Sequence, residues 1–216
     1  MRIVLLGPPG EGKGTQSKLL QEHFNIPQIS TGDILRRIVE EGTAIGKRAK
    51  AYMDRGELVP DSVIIEMVDQ RLDADDAQRG FLLDGFPRTV PQLGAFEKIM
   101  SKRNWKIDGA VSLKVPRADL IRRLSGRRTC RDCGAMYHVV FNPPKADLRC
   151  DRCGGELYQR ADDREETITA RLEVHDRQSV PLHEFFRKQG LLREIDGTKS
   201  TEEVFARILR EVRQAA

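Results

Sequence analysis

Nine residues near the start of the chain, GPPGEGKGT (7–15), carry four glycines and one lysine immediately behind the apolar run Ile3, Val4, Leu5 and Leu6. Glycine loses more conformational freedom on folding than any other residue, so this density implies a backbone that must come close to something. A strand, a glycine-rich turn and a helix opening near Lys13 make a cradle for phosphate. Successive backbone N–H groups point inward, and the helix N-terminus adds the positive end of its dipole. Lys13 supplies a mobile cation for terminal phosphates. The general pattern is Gly, four residues, Gly-Lys, then Ser or Thr. Here Gly14 follows Lys13 and Thr15 comes one place late. The loop reads as a nucleoside triphosphate site, with GTPases and ATPases both open on this motif alone.

The second group with chemistry in its spacing is the cysteines. All four fall in two pairs, Cys130 and Cys133 in CRDC and Cys150 and Cys153 in CDRC, with sixteen residues between the pairs. In a reducing compartment such pairs read as metal ligands before disulfides, and the spacing fits a four-thiolate zinc site. Four protein ligands leave no open position, so the zinc would be structural. Two disulfides are the alternative. A zinc ribbon on nucleic acid is a third, but no basic–aromatic surface accompanies it. Iron or cobalt could use the same ligands. His138, five residues past Cys133, reads as a side chain of the same segment rather than a ligand.

These groups need elements to hold them. Apolar runs predict strands at 2–6, 28–29, 81–83, 110–115 and 191–195. Helical patterns fall at 13–24, 33–41, 44–55, 61–72, 90–103, 117–124, 164–188 and 201–213. Asp61 stands where an N-cap is expected for DSVIIEMVDQRL. Strands separated by helices imply βαβ units and a largely parallel sheet. The alternation breaks twice. Residues 30–60 are helical without a convincing strand, which suggests an insertion. Residues 126–163 are rich in Cys, Gly and Pro and poor in aliphatics, as in a small subdomain that needs a staple.

Composition sets outer limits. At 216 residues, 39% hydrophobic and 32% charged, the chain suits one soluble globular core with small insertions. A net charge of +4, from 37 basic and 33 acidic residues, argues against a dedicated nucleic-acid binder. No apolar run reaches bilayer length, and four apolar residues after Arg2 are too few for a signal-peptide core. The expectation is a cytoplasmic protein without nucleic-acid or membrane partners.

Together with the loop, QISTGDILR (28–36), FLLDGFPRT (81–89) and GRR (126–128) closely resemble the adenylate kinase family of nucleoside monophosphate kinases. The resemblance runs from residue 1 to about 201 and includes GELVPD (56–61), FNPPK (141–145), RADDREET (160–167) and DGTK (196–199). The long middle segment is similar to the bacterial long-lid form in its cysteine-bearing version. The fold so implied is α/β, a P-loop three-layer sandwich with a five-stranded parallel sheet. It carries a helical NMP-binding insertion at 30–59 and a small zinc-bound lid at 126–163, with the core at 1–29, 60–125 and 164–216. The implied reaction is reversible, Mg²⁺-dependent transfer of the terminal phosphoryl group of ATP to AMP, giving two ADP, in adenine nucleotide homeostasis. A monomer carrying structural Zn²⁺ is expected.

The physical chemistry agrees with that expectation. Bringing two polyanions together requires positioning and electrostatics more than covalent chemistry, and arginine's planar fork suits phosphate. By resemblance, Lys13 contacts the ATP phosphates, and Arg88, Arg123, Arg160 and Arg171 clamp the transferring group. Asp84 holds Mg²⁺ through water. The ATP side also takes Gly10, Glu11, Gly12, Gly14 and Thr15 of the loop, Arg127 near base or ribose, Met136, Tyr137 and Gly197. The AMP side takes Thr31, Arg36, Glu57, Leu58, Val59, Gly85, Phe86, Pro87, Arg88, Gln92, Arg160 and Arg171. Thr31 and the backbone at 57–59 would select adenine, and the Gln92 amide could read a base edge. A UMP/CMP-type kinase would share nearly everything else. A P-loop switch or ATPase would give no reason for DGFPR or for the insertion before Pro60.

Two expectations are specific to this chain. Glu11 places a carboxylate where the family more often has a small residue, and its side chain is expected to point to solvent. The zinc is expected to govern lid stability more than chemistry, because the lid would carry Arg123 and Arg127 at one root and Arg160 at the other.

Overall fold

The computed structural model describes residues 1–213. Its main sheet has five parallel strands: β1 (Arg2–Leu6), β2 (Gln28–Ser30), β3 (Phe81–Asp84), β4 (Gly109–Lys114) and a late strand, Leu192–Asp196. Their spatial order is β2, β3, β1, β4 and then that last strand. Each crossover carries helix. These are α1 (Lys13–Phe24), α2 (Thr31–Glu40), α3 (Ala44–Asp54), α4 (Asp61–Leu72), the short α5 (Asp75–Gln78), α6 (Val90–Lys102) and α7 (Arg117–Ser125).

The middle segment forms a three-stranded antiparallel sheet of β5 (Arg127–Cys130), β6 (Met136–His138) and β7 (Leu157–Tyr158), with β5 central. α8 (Glu165–Lys188) returns to the core, where β8 (Leu192–Asp196) and α9 (Thr201–Arg213) complete it.

The central strands β1, β3 and β4 are largely apolar because both sheet faces are covered there, and their period of two divides them between two layers. Val4, Leu6, Phe81, Leu83 and Ala110 pack with Ile64, Val68 and Leu72 of α4, Phe96 of α6 and Phe186 of α8. Ile3, Leu5, Leu82, Val111 and Leu113 face Leu20 of α1 and Val204, Ile208 and Val212 of α9. Thus neighbouring residues on one strand serve opposite cores. A smaller cluster of Leu120, Leu124, Ile168 and Leu172 ties α7 to α8.

Local signals set the helix starts. Ser30 caps α2 by accepting from Asp33 N at 3.3 Å, and Thr43 caps α3 through Gly46 N at 2.9 Å. Asp61 is not a cap. Pro60 holds that position in α4, and Asp61 is the first helical residue. Its carboxylate is drawn away by stronger partners, accepting from Thr89 Oγ1 at 3.0 Å and Gln92 Nε2 at 2.7 Å. Register then fixes the site: Leu5 lies beside both Asp84 and Val111, and Ser30 lies beside Asp84. The turns after β1, β2 and β3 therefore open at one level, the carboxyl edge where parallel α/β sheets bind ligands.

Candidate active site

The glycine-rich loop leaves β1 at Leu6 and enters α1 at Lys13. Gly7 and Gly12 adopt φ of 124° and 108°, a region that favours glycine, and Gly12 occupies the N-cap position of α1. Lys13 folds back over the loop, its Nζ donating to the carbonyls of Gly7 and Pro8, both at 2.7 Å. It also pairs with Glu11 Oε1 at 3.2 Å.

Glu11 contradicts the expectation that it faces water. It is only 1% exposed, and a Cβ built on Gly7 would lie 2.0 Å from its Oε2. The carboxylate therefore packs against the glycine inside the loop. Burial pushes it up to about 8, against the opposing pull of Lys13. Repulsion from phosphates favours an outward carboxylate, but Lys13 lies within reach to pair with it and Gly7 offers space.

A cleft of about 1310 Å³ runs from this loop across the carboxyl edge of the sheet, large enough for more than one nucleotide-sized ligand. The loop residues Gly10, Gly12, Gly14 and Thr15 line it, as do Asp84, Met136 and Gly197. Met136 of β6 lies over the start of α1, with its Cε 2.8 Å from where a Cβ on Gly14 would stand. Arg123 spans the loop and the turn after β8, donating to Glu11 O at 3.2 Å and Gly197 O at 3.0 Å.

The other arginines converge on the middle of the cleft. Arg127 grips the fully buried Asp163 with a two-pronged contact, Nε to Oδ2 at 2.8 Å and Nη2 to Oδ1 at 2.5 Å. Arg171 Nη1 reaches Asp162 Oδ2 at 3.0 Å and Asp163 Oδ1 at 3.3 Å. Arg160 Nε donates to Thr129 Oγ1 at 3.0 Å. Arg88 Nε donates to the Gly85 carbonyl at 2.7 Å; solvent in the cleft reaches it, although it lies deep among protein atoms. Arg36 pairs with Asp33.

This crowding is visible in proton affinity. Burial lowers Arg88, with Arg171 and Arg36 adding to the effect. Burial likewise lowers Arg160, to about 10, helped by Arg127 and Arg36. Arg171 is lowered because burial outweighs the relief from Asp162 and Asp163, with Arg127 and Arg36 adding to the burial effect. Arg36 alone moves the other way, because Asp33 overcomes its burial. Cations this close repel one another and favour an incoming polyanion.

After β2, Thr31 Oγ1 donates to the Gly85 carbonyl at 2.9 Å. Gly85 has φ of 79° and no room for a side chain: a Cβ would stand 2.4 Å from Arg88 Nη2. Glu57, Leu58, Val59 and Pro87 line the cleft, and the Glu57 carboxylate pairs with Arg55 at 2.7 Å. Gln92 also lines it, but both ends of its amide are engaged, Nε2 with Asp61 and Oε1 with Arg88 N at 2.8 Å. Phe86 differs from the expected set. It lies in the core, fully buried and edge-on to Phe96 at 5.7 Å, and does not line the cleft.

The four cysteines come together. All four Sγ atoms lie within 4.8 Å of one another, with Cys130–Cys153 and Cys133–Cys150 at 3.5 Å. Tetrahedral Zn–S bonds of about 2.3 Å place sulfurs ~3.8 Å apart, so a soft, four-coordinate metal fits this donor set. The Tyr137 hydroxyl contacts Cys150 Sγ and accepts from Asp151 N at 2.8 Å, and that contact lowers the Cys150 thiol to about 6. Tyr137 thus supports the cluster while its ring lines the cleft. His138 stays outside. Its Nδ1 accepts from Val140 N and Phe141 N, so its Nε2 carries the proton and donates to Arg122 O at 3.1 Å. For Mg²⁺, Asp84 presents a hard oxygen donor in the cleft, with Gln28 Nε2 on its Oδ2 at 3.2 Å.

A protein-family model described as "Adenylate kinase" matches residues 5–191. The chain is 56% identical over 216 residues to the adenylate kinase of Methanocella arvoryzae, covering all of both chains. It is 54% identical to that of Carboxydothermus hydrogenoformans, over 96% of this chain and 97% of the relative. With the adenylate kinase of a Geobacillus species it shares 55% over 96% of each. The chain belongs to the adenylate kinase family. It is a nucleoside monophosphate kinase.

The residues that sequence reasoning passed over in this adenylate kinase are mostly its acids. Asp33, Asp162 and Asp163 hold Arg36, Arg171 and Arg127, and Asp61 holds Gln92. The signal was present in RADDREET, whose paired aspartates sit between the arginines that attract attention. Lys18, donating to Gly134 O at 3.0 Å, joins α1 to the turn between the first cysteine pair and β6. Nothing in its type or spacing marks it.

Proposed function

We propose that this adenylate kinase transfers the terminal phosphoryl group of Mg-ATP to AMP, reversibly, giving two ADP. The observation that carries the reading is the cluster of Arg88, Arg160 and Arg171, each with its proton affinity lowered at the centre of a cleft large enough for two nucleotides. Such a cluster stabilises the charge that accumulates when donor and acceptor phosphates meet. The glycine-rich loop and Lys13 take the ATP phosphates, while Arg123 and Arg127 flank them. Arg36 and Arg88 hold the AMP phosphate, so that an AMP oxygen faces the terminal phosphorus in line. Asp84 would hold Mg²⁺ through water, and the ion would supply positive charge to offset that of the phosphates during transfer.

On this reading, 30–59 is the acceptor-binding insertion, 126–163 the lid, and the remainder the core. The lid holds structural Zn²⁺ on Cys130, Cys133, Cys150 and Cys153. Closure excludes water, the competing phosphoryl acceptor. Among the described residues no helix is long and apolar enough to cross a membrane. A monomer acting in the cytoplasm in adenine nucleotide homeostasis completes the proposal.

The test is ADP formation from Mg-ATP with AMP, UMP, CMP or GMP beside a no-acceptor control. ADP with AMP alone supports the proposal. Preference for UMP or CMP would overturn the acceptor assignment and its dependence on Thr31 and Gln92. Equal ADP release without any acceptor would overturn phosphoryl transfer to a nucleotide.

A further inference from the structure

Glu11 is the buried titratable group that phosphoryl transfer does not use. Its carboxylate sits inside the phosphate loop, 3.2 Å from Lys13 Nζ, and its second oxygen, Oε2, has no hydrogen-bond partner. Lys13, the cation meant for ATP, spends its remaining donors on the Gly7 and Pro8 carbonyls. We propose that Glu11 is a positioning residue that competes with the ATP phosphates for Lys13, and that ATP enters the loop only with the Glu11 carboxyl protonated. The proton comes from solvent and resides on the carboxyl, where Oε2 is free to carry it. The proposal rests on the reading of this loop as the ATP site.

The surrounding charges decide the direction. Within the loop the only cation against the carboxylate is Lys13. Asp84 at the end of β3 acts against ionisation, and Lys114 at the end of β4 acts weakly for it. From α7, Arg123 meets the Glu11 carbonyl rather than its carboxylate. From α8, His175 faces Lys13, which helps keep the imidazole neutral, so that helix adds no positive charge. When ATP draws Lys13 onto its phosphates, Glu11 loses its main favourable partner and gains polyanionic neighbours. Both changes favour the neutral carboxyl.

The empty-site group titrates at about 8. It is therefore mostly neutral at pH 7 and mostly ionised at pH 9. If only the protonated form accepts ATP, affinity falls about tenfold between those two values. Other groups that titrate in this interval are common to wild type and Glu11→Gln, so the variant removes this dependence alone.

The experiment is calorimetric titration of the full, metal-loaded chain with Mg-ATP and no acceptor, at pH 7, 8 and 9. Each is run in two buffers of different ionisation heat, for wild type and Glu11→Gln. Wild type is expected to lose about tenfold in affinity from pH 7 to 9. It should take up about 0.1 proton per ATP at pH 7 and close to one at pH 9. Glu11→Gln should lose about tenfold less affinity than wild type over that range and take up about one proton fewer per ATP at pH 9. An equal loss in both proteins, or no proton uptake by wild type at pH 9, overturns the role of Glu11 while leaving the ATP site standing. Wild type that binds no Mg-ATP at pH 7 overturns both. The proton count on wild type decides the matter even should the variant fold poorly.

Discussion

Stripping the metal from the cysteine cluster should destabilise the chain without abolishing its chemistry in the cold. The lid has little core of its own: its buried cluster is Cys130, Ala135, Tyr137, Cys150 and Leu157, two of them ligands. A metal joining Cys133 to Cys150 closes a loop of sixteen intervening residues. A cross-link over that length is worth about 3 kcal/mol through the entropy it removes from the unfolded chain. For a domain of this size each kcal/mol moves Tm by about 2–4 °C, so metal removal should lower Tm by about 6–12 °C. At low temperature other ties still hold the lid. They include the Arg127–Asp163 pair, Lys18 on Gly134 O, and Gln159 Nε2 on Asp163 O at 3.0 Å. The assay is scanning calorimetry of loaded and chelated protein under reducing conditions, beside initial rates of ADP formation in the cold. An unchanged Tm after verified metal release would refute the staple. Immediate and complete loss of activity in a still-folded apo protein would refute the separation of stability from chemistry.

Three further outcomes follow from the contacts. Glu11 has its folded value, about 8, above the unfolded one of 4.5, so between those values folding must keep a proton that the unfolded chain has lost. Stability from this group therefore falls as pH rises through that window. Glu11→Gln should be more stable than wild type by on the order of 3 kcal/mol at pH 7 and equal to it near pH 4, as read by urea titration; the reverse order at pH 7 would refute the burial argument. Asp163→Ala leaves Arg127 and Arg171 without their shared buried partner and should cost about 3–5 kcal/mol, so an unshifted denaturation midpoint would contradict it. Arg88→Lys keeps the charge but loses the fork; kcat should fall about a hundredfold with Tm little changed, and a kcat within a few-fold of wild type would remove Arg88 from the transferring group.

Where the sequence was legible, the reason was period and punctuation. β1, α1, α4 and α9 begin and end where apolar spacing and the glycine turns put them. The lid strands were invisible because β5, β6 and β7 are only two to four residues long and carry polar residues, so no hydrophobic period distinguishes them. They are set instead by the cysteine turns and the ladder pairing Thr129 with both Met136 and Tyr158. The four-residue α5 likewise fell below any window. The site was half legible. Phosphate-binding residues announce themselves by type, but the acids that hold them do so only in three dimensions. Asp163 reaches an arginine 36 positions earlier. For Glu11, the repulsion between a carboxylate and phosphates pointed the wrong way, because the loop supplies a lysine 3.2 Å from it.

Those acids explain how a cleft so rich in cations folds while empty. Arg36 has Asp33, Arg127 has Asp163, and Arg171 has Asp162 and Asp163. Buried cations without such partners would each cost several kcal/mol. Binding at these positions is then an exchange of one anion for another, and the acid sets the terms of entry. Arg88 and Arg160 are different. Arg88 donates to a carbonyl, and among the described residues no carboxylate lies within ion-pair distance of it; Arg160 has a hydroxyl and, at 3.9 Å, Asp33. Arg123 is like them, with only the Glu11 and Gly197 carbonyls. On the proposed reading the charge of these three, the least neutralised in the cleft, lies where donor and acceptor phosphates meet. A phosphoryl group between them gains attraction without breaking a close ion pair. Interactions that strengthen as charge develops in transfer accelerate it, whereas those exchanged on binding do not. On the proposed reading, a cation that surrenders an ion pair on binding, as Arg171 does, has less left to give as charge develops than Arg88, Arg123 and Arg160, which surrender none closer than 3.9 Å.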